Sequence, residues 1–194
     1  MLRVTWEWLG QDPALDVANT VAVVEGDERD LIAGGSEYQR WAAAEASALG
    51  FDGDEAAALV AARSRLLGLR PAVRAVIAAA ASGRELPEAA VAGLNRTTRS
   101  APAWVELDPA TGRLRRGSRG DAADRVVAAY AQAAMELVAG DAAEEIRVCP
   151  APSCGMFYRP GRSDQHWCSP QCGSRARVAR HYRVHKSERR SAVR

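Results

Sequence analysis

All four cysteines of this 194-residue chain lie within residues 149–172, at a spacing that suits a metal. Four residues separate Cys149 from Cys154, three separate Cys168 from Cys172, and thirteen lie between the two pairs. Two thiolate pairs brought together across a loop meet the needs of one tetrahedral zinc ion, with Zn–S distances near ~2.3 Å. Four thiolates leave no open position for water, so such a site holds structure and does not catalyse. An iron–sulfur cluster is the lesser alternative for the same donors. His166, His181 and His185 are rival ligands, but with four thiolates at hand they are expected at the surface.

The flanking residues explain how the thiols would be aimed. Pro150-Ala151-Pro152-Ser153 forms a rigid turn that returns Cys154 towards Cys149, and Gly155 relieves crowding behind it. Ser169 is placed to cap a helix with Pro170 as its first residue. Cys172 then falls in the first turn, where free amides and the helix dipole favour a thiolate. The helix continues through Arg175, Arg177, Arg180, Arg183 and Lys186. Cys172, Ala176, Ala179 and Tyr182 form its expected packing face. Arginine forks suit phosphates and guanine edges, so these five cations are the candidate nucleic-acid contacts. Arg175, one turn after Cys172, is the candidate for reading a base. Residues 147–194 hold 11 basic and 2 acidic residues, a balance of +9, against −7 for residues 1–146. Double-stranded DNA is the expected partner, and RNA or an acidic protein the alternative.

The rest of the chain must carry this module. Its hydrophobic fraction is 47%, dominated by alanine, which favours helix. Residues 13–24 read as a helix, and 26–35 as a polar loop. Ser36 and Gln39 have a capping-box arrangement opening a helix that stops at Gly50. Asp54 is placed to cap the next helix, which runs to residue 81 and is kinked or split at Pro71. Pro87 opens another, ending near Arg99. Residues 103–115 read as a β-hairpin about Asp108-Pro109-Ala110-Thr111-Gly112. Asp121 caps a last long helix ending at Gly140, and residues 145–148 form a short strand leading to Cys149. Residues 6–9 are an expected opening strand, with Trp41 and Trp104 in the core. The most apolar stretch, residues 59–81, carries four arginines, so no membrane span is expected. Residues 1–10 contain no apolar signal segment, so the expected location is the cytosol, where thiols stay reduced.

Two resemblances cover most of the chain. Cys149-Pro150-Ala151-Pro152-Ser153-Cys154, the pair Phe157-Tyr158, Trp167-Cys168-Ser169 and Cys172-Gly173-Ser174-Arg175 resemble the CGNR-type zinc finger of bacteria. Ser174 stands where that family usually has Asn. Leu15-Asp16-Val17-Ala18-Asn19-Thr20 resembles a Leu-Asp-x-x-Asn-Thr pattern in the ABATE-like, stress-induced transcription regulator domain that usually precedes the finger. The expected fold is mainly α. A helical domain with one hairpin spans residues 1–143, and a small treble-clef-like zinc finger with a basic C-terminal helix spans 144–194. The resemblance implies a DNA-binding transcription regulator holding one structural Zn2+, and no enzyme. Asp16, Asn19 and Thr20 are candidate contacts for a small-molecule effector. The competing expectation is that they satisfy buried backbone groups where the first helix meets the core.

Overall fold

A computed structural model describes residues 9–24 and 26–191, with the side chains of Val24, Arg116 and residues 183–191 outside that description. Seven α-helices are found among them: α1 (Pro13–Ala18), α2 (Gly35–Leu49), α3 (Gly53–Ala61), α4 (Arg63–Ala81), α5 (Glu88–Ser100), α6 (Ala122–Ala139) and α7 (Pro170–Ser191). Three antiparallel ribbons join them: β1 (Val21–Val24) with β2 (Asp27–Asp30), β3 (Ala103–Leu107) with β4 (Leu114–Ser118), and β5 (Arg147–Val148) with β6 (Phe157–Tyr158). A short 3₁₀ turn, Asp141–Glu145, links α6 to β5. The mainly α expectation holds, as do the 103–115 hairpin, the Asp121 cap on α6 and the stop of α2 at the left-handed Gly50 (φ 69°). Among the described residues no helix is long and apolar enough to cross a membrane.

Several local expectations are corrected. The helix expected over 13–24 ends at Ala18. Asn19 is its C-cap, and the β-branched Val21, Val23 and Val24 continue as a strand. The polar loop expected over 26–35 contains the partner strand β2, paired Val21↔Asp30 through Val24↔Asp27. Gly34, not Ser36, is the N-cap of α2, and the Ser36 hydroxyl donates to Glu37 instead. Asp52, not Asp54, caps α3, in a capping box with Glu55. The long helix breaks at Ala62, and α4 runs through Pro71. Trp6 and Trp8 lie outside the described residues, and Leu9 stands in a turn.

Helices α4, α5 and α6 pack on one another, α1 packs on α4 and α6, and α3 packs on α6 and carries α2. Trp41 is at the centre, fully buried, with Tyr38 at 5.5 Å and Tyr130 at 6.5 Å between ring centroids in tilted contacts. Trp104 does not join them. It is 41% exposed on the β3–β4 ribbon, where its Nε1 donates to Glu106 at 2.8 Å and its ring lies across Gly117. Any Cβ at Gly117 would come within 2.5 Å of the indole. Ile146 and Phe157, from the segment carrying the cysteines, belong to the same apolar cluster as the helices.

Two carboxyls sit inside this core. Asp16 on α1 and Glu45 on α2 are both fully buried. Asp16 accepts from Gly10 N at 2.7 Å, and Glu45 accepts from the Tyr130 hydroxyl at 2.7 Å. Asp16 Oδ1 and Glu45 Oε2 have no other donor among the described residues. The two groups interact with each other, so the arrangement that satisfies both is a proton held between them. Burial, then the neighbouring Glu45 charge, pushes Asp16 up to about 8, with Asp12 adding to the effect. Burial pushes Glu45 up to about 7. Between roughly pH 4 and these values the folded protein holds a proton that the unfolded chain has released. The pair's contribution to stability is therefore fully present below about pH 4 and is lost as pH rises through 7 and 8. Urea unfolding should show a loss on the order of 1–3 kcal/mol between pH 6 and pH 9. Asp16→Asn, neutral at both values, should remove most of that loss, and an unchanged slope would place its origin elsewhere.

Candidate metal centre

The thiols converge as their spacing requires. All four Sγ atoms lie within 4.8 Å of one another. Three of the edges are Cys154–Cys168 at 3.6 Å, Cys168–Cys172 at 3.5 Å and Cys154–Cys172 at 3.6 Å. A regular tetrahedron with Zn–S near 2.3 Å has edges of about 3.8 Å, so the cluster is the size of a zinc shell. No disulfide links them, and Cys149, Cys154 and Cys172 are buried. Thiols this close oppose one another's ionisation. Hydrogen bonds from Cys154 and Cys168 hold Cys149 far below the ordinary thiol range, and the same contacts push Cys154 and Cys168 well above it. A dication at the centre relieves that conflict by replacing the protons.

Local sequence aims each ligand. The β5–β6 ribbon pairs Val148 with Phe157, and Cys149 N donates to Met156 O at 2.8 Å, which closes the first knuckle. Ser153 turns the chain with φ 55°, and Gly155 follows at φ 67°. The crowding behind Gly155 is Val23 of β1, whose Cγ2 lies 2.7 Å from where a Cβ would stand. The loop between the pairs is braced by Gln165, which accepts from Gly161 N and donates to Trp167 O, each at 2.9 Å. Ser169 Oγ accepts from Cys172 N at 3.3 Å, so the expected cap on α7 is formed. Gly173 is buried against the Trp167 ring. His166 is exposed, edge-on to Trp167, and stands outside the ligand cluster.

The finger rests on the helical body through the end of α1. Asn19 Nδ2 donates to Phe157 O and Asn19 Oδ1 accepts from Phe157 N, both at 2.8 Å. One buried side chain thus completes β6 as a neighbouring strand would. Val23 N adds a bond to Cys154 O at 3.1 Å. Arg74 from α4 places its guanidinium 5.8 Å from the Phe157 ring centroid and donates to Ala18 O at 2.6 Å and Val21 O at 3.0 Å.

A family model for ABATE, described as "Putative stress-induced transcription regulator", matches residues 11–141, and one for the CGNR zinc finger matches residues 145–185. The chain belongs to the ABATE family. No curated relative matches it. Neither matched family is an enzyme family, and the four cysteines of the CGNR finger are placed to bind one zinc ion. In this ABATE protein the Leu-Asp-x-x-Asn-Thr residues are buried, and each polar member reaches a different part of the molecule. Asp16 meets Glu45 on α2, Asn19 holds the finger, and Thr20 donates to Val17 O at 2.6 Å while accepting from Arg70 of α4 at 3.0 Å.

The basic helix of the ABATE protein is packed at its start and open beyond. Cys172 and Gly173 are buried and Ala176 and Ala179 half-buried, whereas Tyr182, expected on the same face, is 71% exposed. Arg177 and Arg180 are exposed. Arg183 and Lys186 lie on the helix with side chains outside the described residues. Arg175 folds back onto the finger, with its terminal nitrogens on Ser153 O and Cys172 Sγ, each at 3.1 Å.

Sequence reading did not find Glu45, Tyr130, Arg70 or Arg74 as organisers of the junction. The available signal was charge in apolar helices: Arg70 and Arg74 stand one turn apart on α4, and Arg70 forks onto Asp30 while Arg74 reaches Glu28 at 2.8 Å. Cys172→Ser should lose the zinc and loosen the finger, as metal content and circular dichroism would show, since binding energy here is folding energy on the order of 10 kcal/mol. Asn19→Ala should leave Phe157 N and O unpaired, at about 1–3 kcal/mol for each buried group. Part of that cost should appear as weaker zinc retention in chelator competition, although Asn19 touches no ligand sulfur. Retention identical to the wild type would mean the finger closes without the body.

Proposed function

We propose that this ABATE-family protein is a cytosolic bacterial transcription regulator that contacts double-stranded DNA through α7. The observation that carries the reading is a 22-residue helix whose first turn carries a zinc ligand and on which Arg177 and Arg180, beyond that turn, are exposed. At 1.5 Å per residue it extends about 33 Å, enough to lie along a DNA major groove. Arg177, Arg180, Arg183 and Lys186 follow at intervals of three and so wind about half-way round the helix, an arrangement suited to phosphates on both walls of a groove. The +9 balance of residues 147–194 supplies the attraction, and the acidic body discourages alternative docking of the nucleic acid.

Binding to random duplex DNA, measured by fluorescence anisotropy across a salt series, tests this directly. The log–log slope should be steep, about −0.9 per phosphate contact. Replacing Arg177, Arg180 and Arg183 together by Ala should flatten the slope by roughly three contacts and leave zinc content unchanged. Absence of salt-sensitive binding to any duplex would remove the DNA reading. Retention of single-stranded RNA or an acidic protein instead would make the finger an interaction module of another kind.

A further inference from the structure

We propose that Arg175 is a positioning residue of the zinc centre, neutralising ligand charge and locking the first cysteine knuckle to α7. The guanidinium bridges two parts of the finger that the chain supplies separately. Nη2 donates to the Cys172 sulfur at 3.1 Å, and Nη1 donates to Ser153 O at 3.1 Å. The first contact lies within one helical turn, so α7 itself sets the reach. The second crosses 22 positions of sequence to the residue just before Cys154.

Both contacts answer a specific need. Four thiolates around one dication leave a net charge of about −2. Cys172 is only 3% exposed, so little water is available to spread its share. A charge-assisted N–H···S bond draws electron density from the sulfur, which makes it a poorer target for protons and electrophiles. Ser153 is the one non-glycine residue with positive φ among those described, at 55°. That left-handed turn carries a steric cost for serine and must be held by its surroundings. A guanidinium on its carbonyl does so and fixes the direction in which Cys154 leaves the turn. Lysine has one ammonium and cannot span both acceptors as a planar fork does. Both arginines are exposed, and the contrast lies in their partners: Arg177 Nη2 donates to the neighbouring Ser174 hydroxyl at 3.0 Å.

The test uses full-length, zinc-loaded protein carrying Arg175→Ala, Arg175→Lys or, as control, Arg177→Ala. Zinc release is followed with a chromogenic chelator, with and without N-ethylmaleimide to report thiolate reactivity. A second readout is the thiolate-to-metal charge-transfer band of the cobalt(II)-substituted protein, which a merely structural role would not move. Arg175→Ala should release zinc about tenfold faster or more. It should react faster with maleimide and shift the band to longer wavelength. Arg175→Lys should recover part of the band shift but not the release rate, and Arg177→Ala should match the wild type in zinc release and in the band alone. If Arg175→Ala does not accumulate as folded protein, Arg175→Lys decides by the same two readouts. Wild-type release and an unmoved band in the decisive variant, or an equal change in Arg177→Ala, would overturn the proposal. Unchanged zinc behaviour joined to relaxed DNA sequence preference in Arg175→Ala would also overturn it, by assigning the residue to a base.

Discussion

Four thiols within 4.8 Å of one another are an unstable arrangement unless a cation joins them. Each ionisation makes the next harder, and burial deprives the charges of water. The features of the finger follow from that constraint. Two short knuckles, a braced loop and a capped helix start bring all four sulfurs within 4.8 Å of one another, and those of Cys154, Cys168 and Cys172 to 3.5–3.6 Å, where a zinc ion would turn mutual repulsion into shared coordination. The β5–β6 ribbon contains only two residues per strand. Its persistence depends on the metal on one side and on the helical body on the other.

The body's contribution is concentrated at the end of α1. Asn19 offers a donor and an acceptor in the geometry of a peptide group and uses both on Phe157. A side chain without the paired amide functions would leave two buried backbone groups of β6 unsatisfied. The same elbow is fixed from behind by Arg70 and Arg74. Their cost of burial is offset by Asp30 and Glu28 on β2 and by carbonyls of residues 18 and 21. The β1–β2 ribbon is thus a polar clasp: β1 faces the finger through Val23, and β2 supplies the anions that keep two arginines in place.

What sequence revealed, and what it hid, follows from the range of the forces involved. The zinc ligands, the Ser169 cap and the 103–115 hairpin were legible because ligand spacing, capping and turn chemistry act within a few residues. The β1–β2 ribbon was not, because Asp27-Glu28-Arg29-Asp30 has no apolar alternation and is exposed along its length. It is held by arginines 40 or more positions away. The stop of α1 at Asn19 was hidden for the same reason, since the group that recruits its side chain lies 138 residues downstream. Competing caps misled locally: Asp52 and Asp54 both suit a helix start, and only Asp52 has Glu55 three residues on to complete the box. Trp104 was misplaced because its size suggests burial, whereas Gly117 opposite gives the ring a surface to lie on within the ribbon.

Placing the finger on the Asn19 elbow has a thermodynamic consequence. Phe157 belongs to the apolar cluster of the body, and through its backbone to the ribbon that carries the first knuckle. Zinc binding that orders β5–β6 therefore orders part of the body's core, and a body that holds Asn19 in place presents a partly formed site to zinc. Coupling of this kind is reciprocal by necessity, so whatever the body gains from zinc, zinc gains from the body. Asp16 lies one helical turn before Asn19 on the same short helix, buried against Glu45. The carboxyl pair and the finger thus act one turn apart on a single six-residue helix. A change that shifts α1 cannot be felt at one of these residues alone, because α1 is too short and too completely packed to absorb it internally.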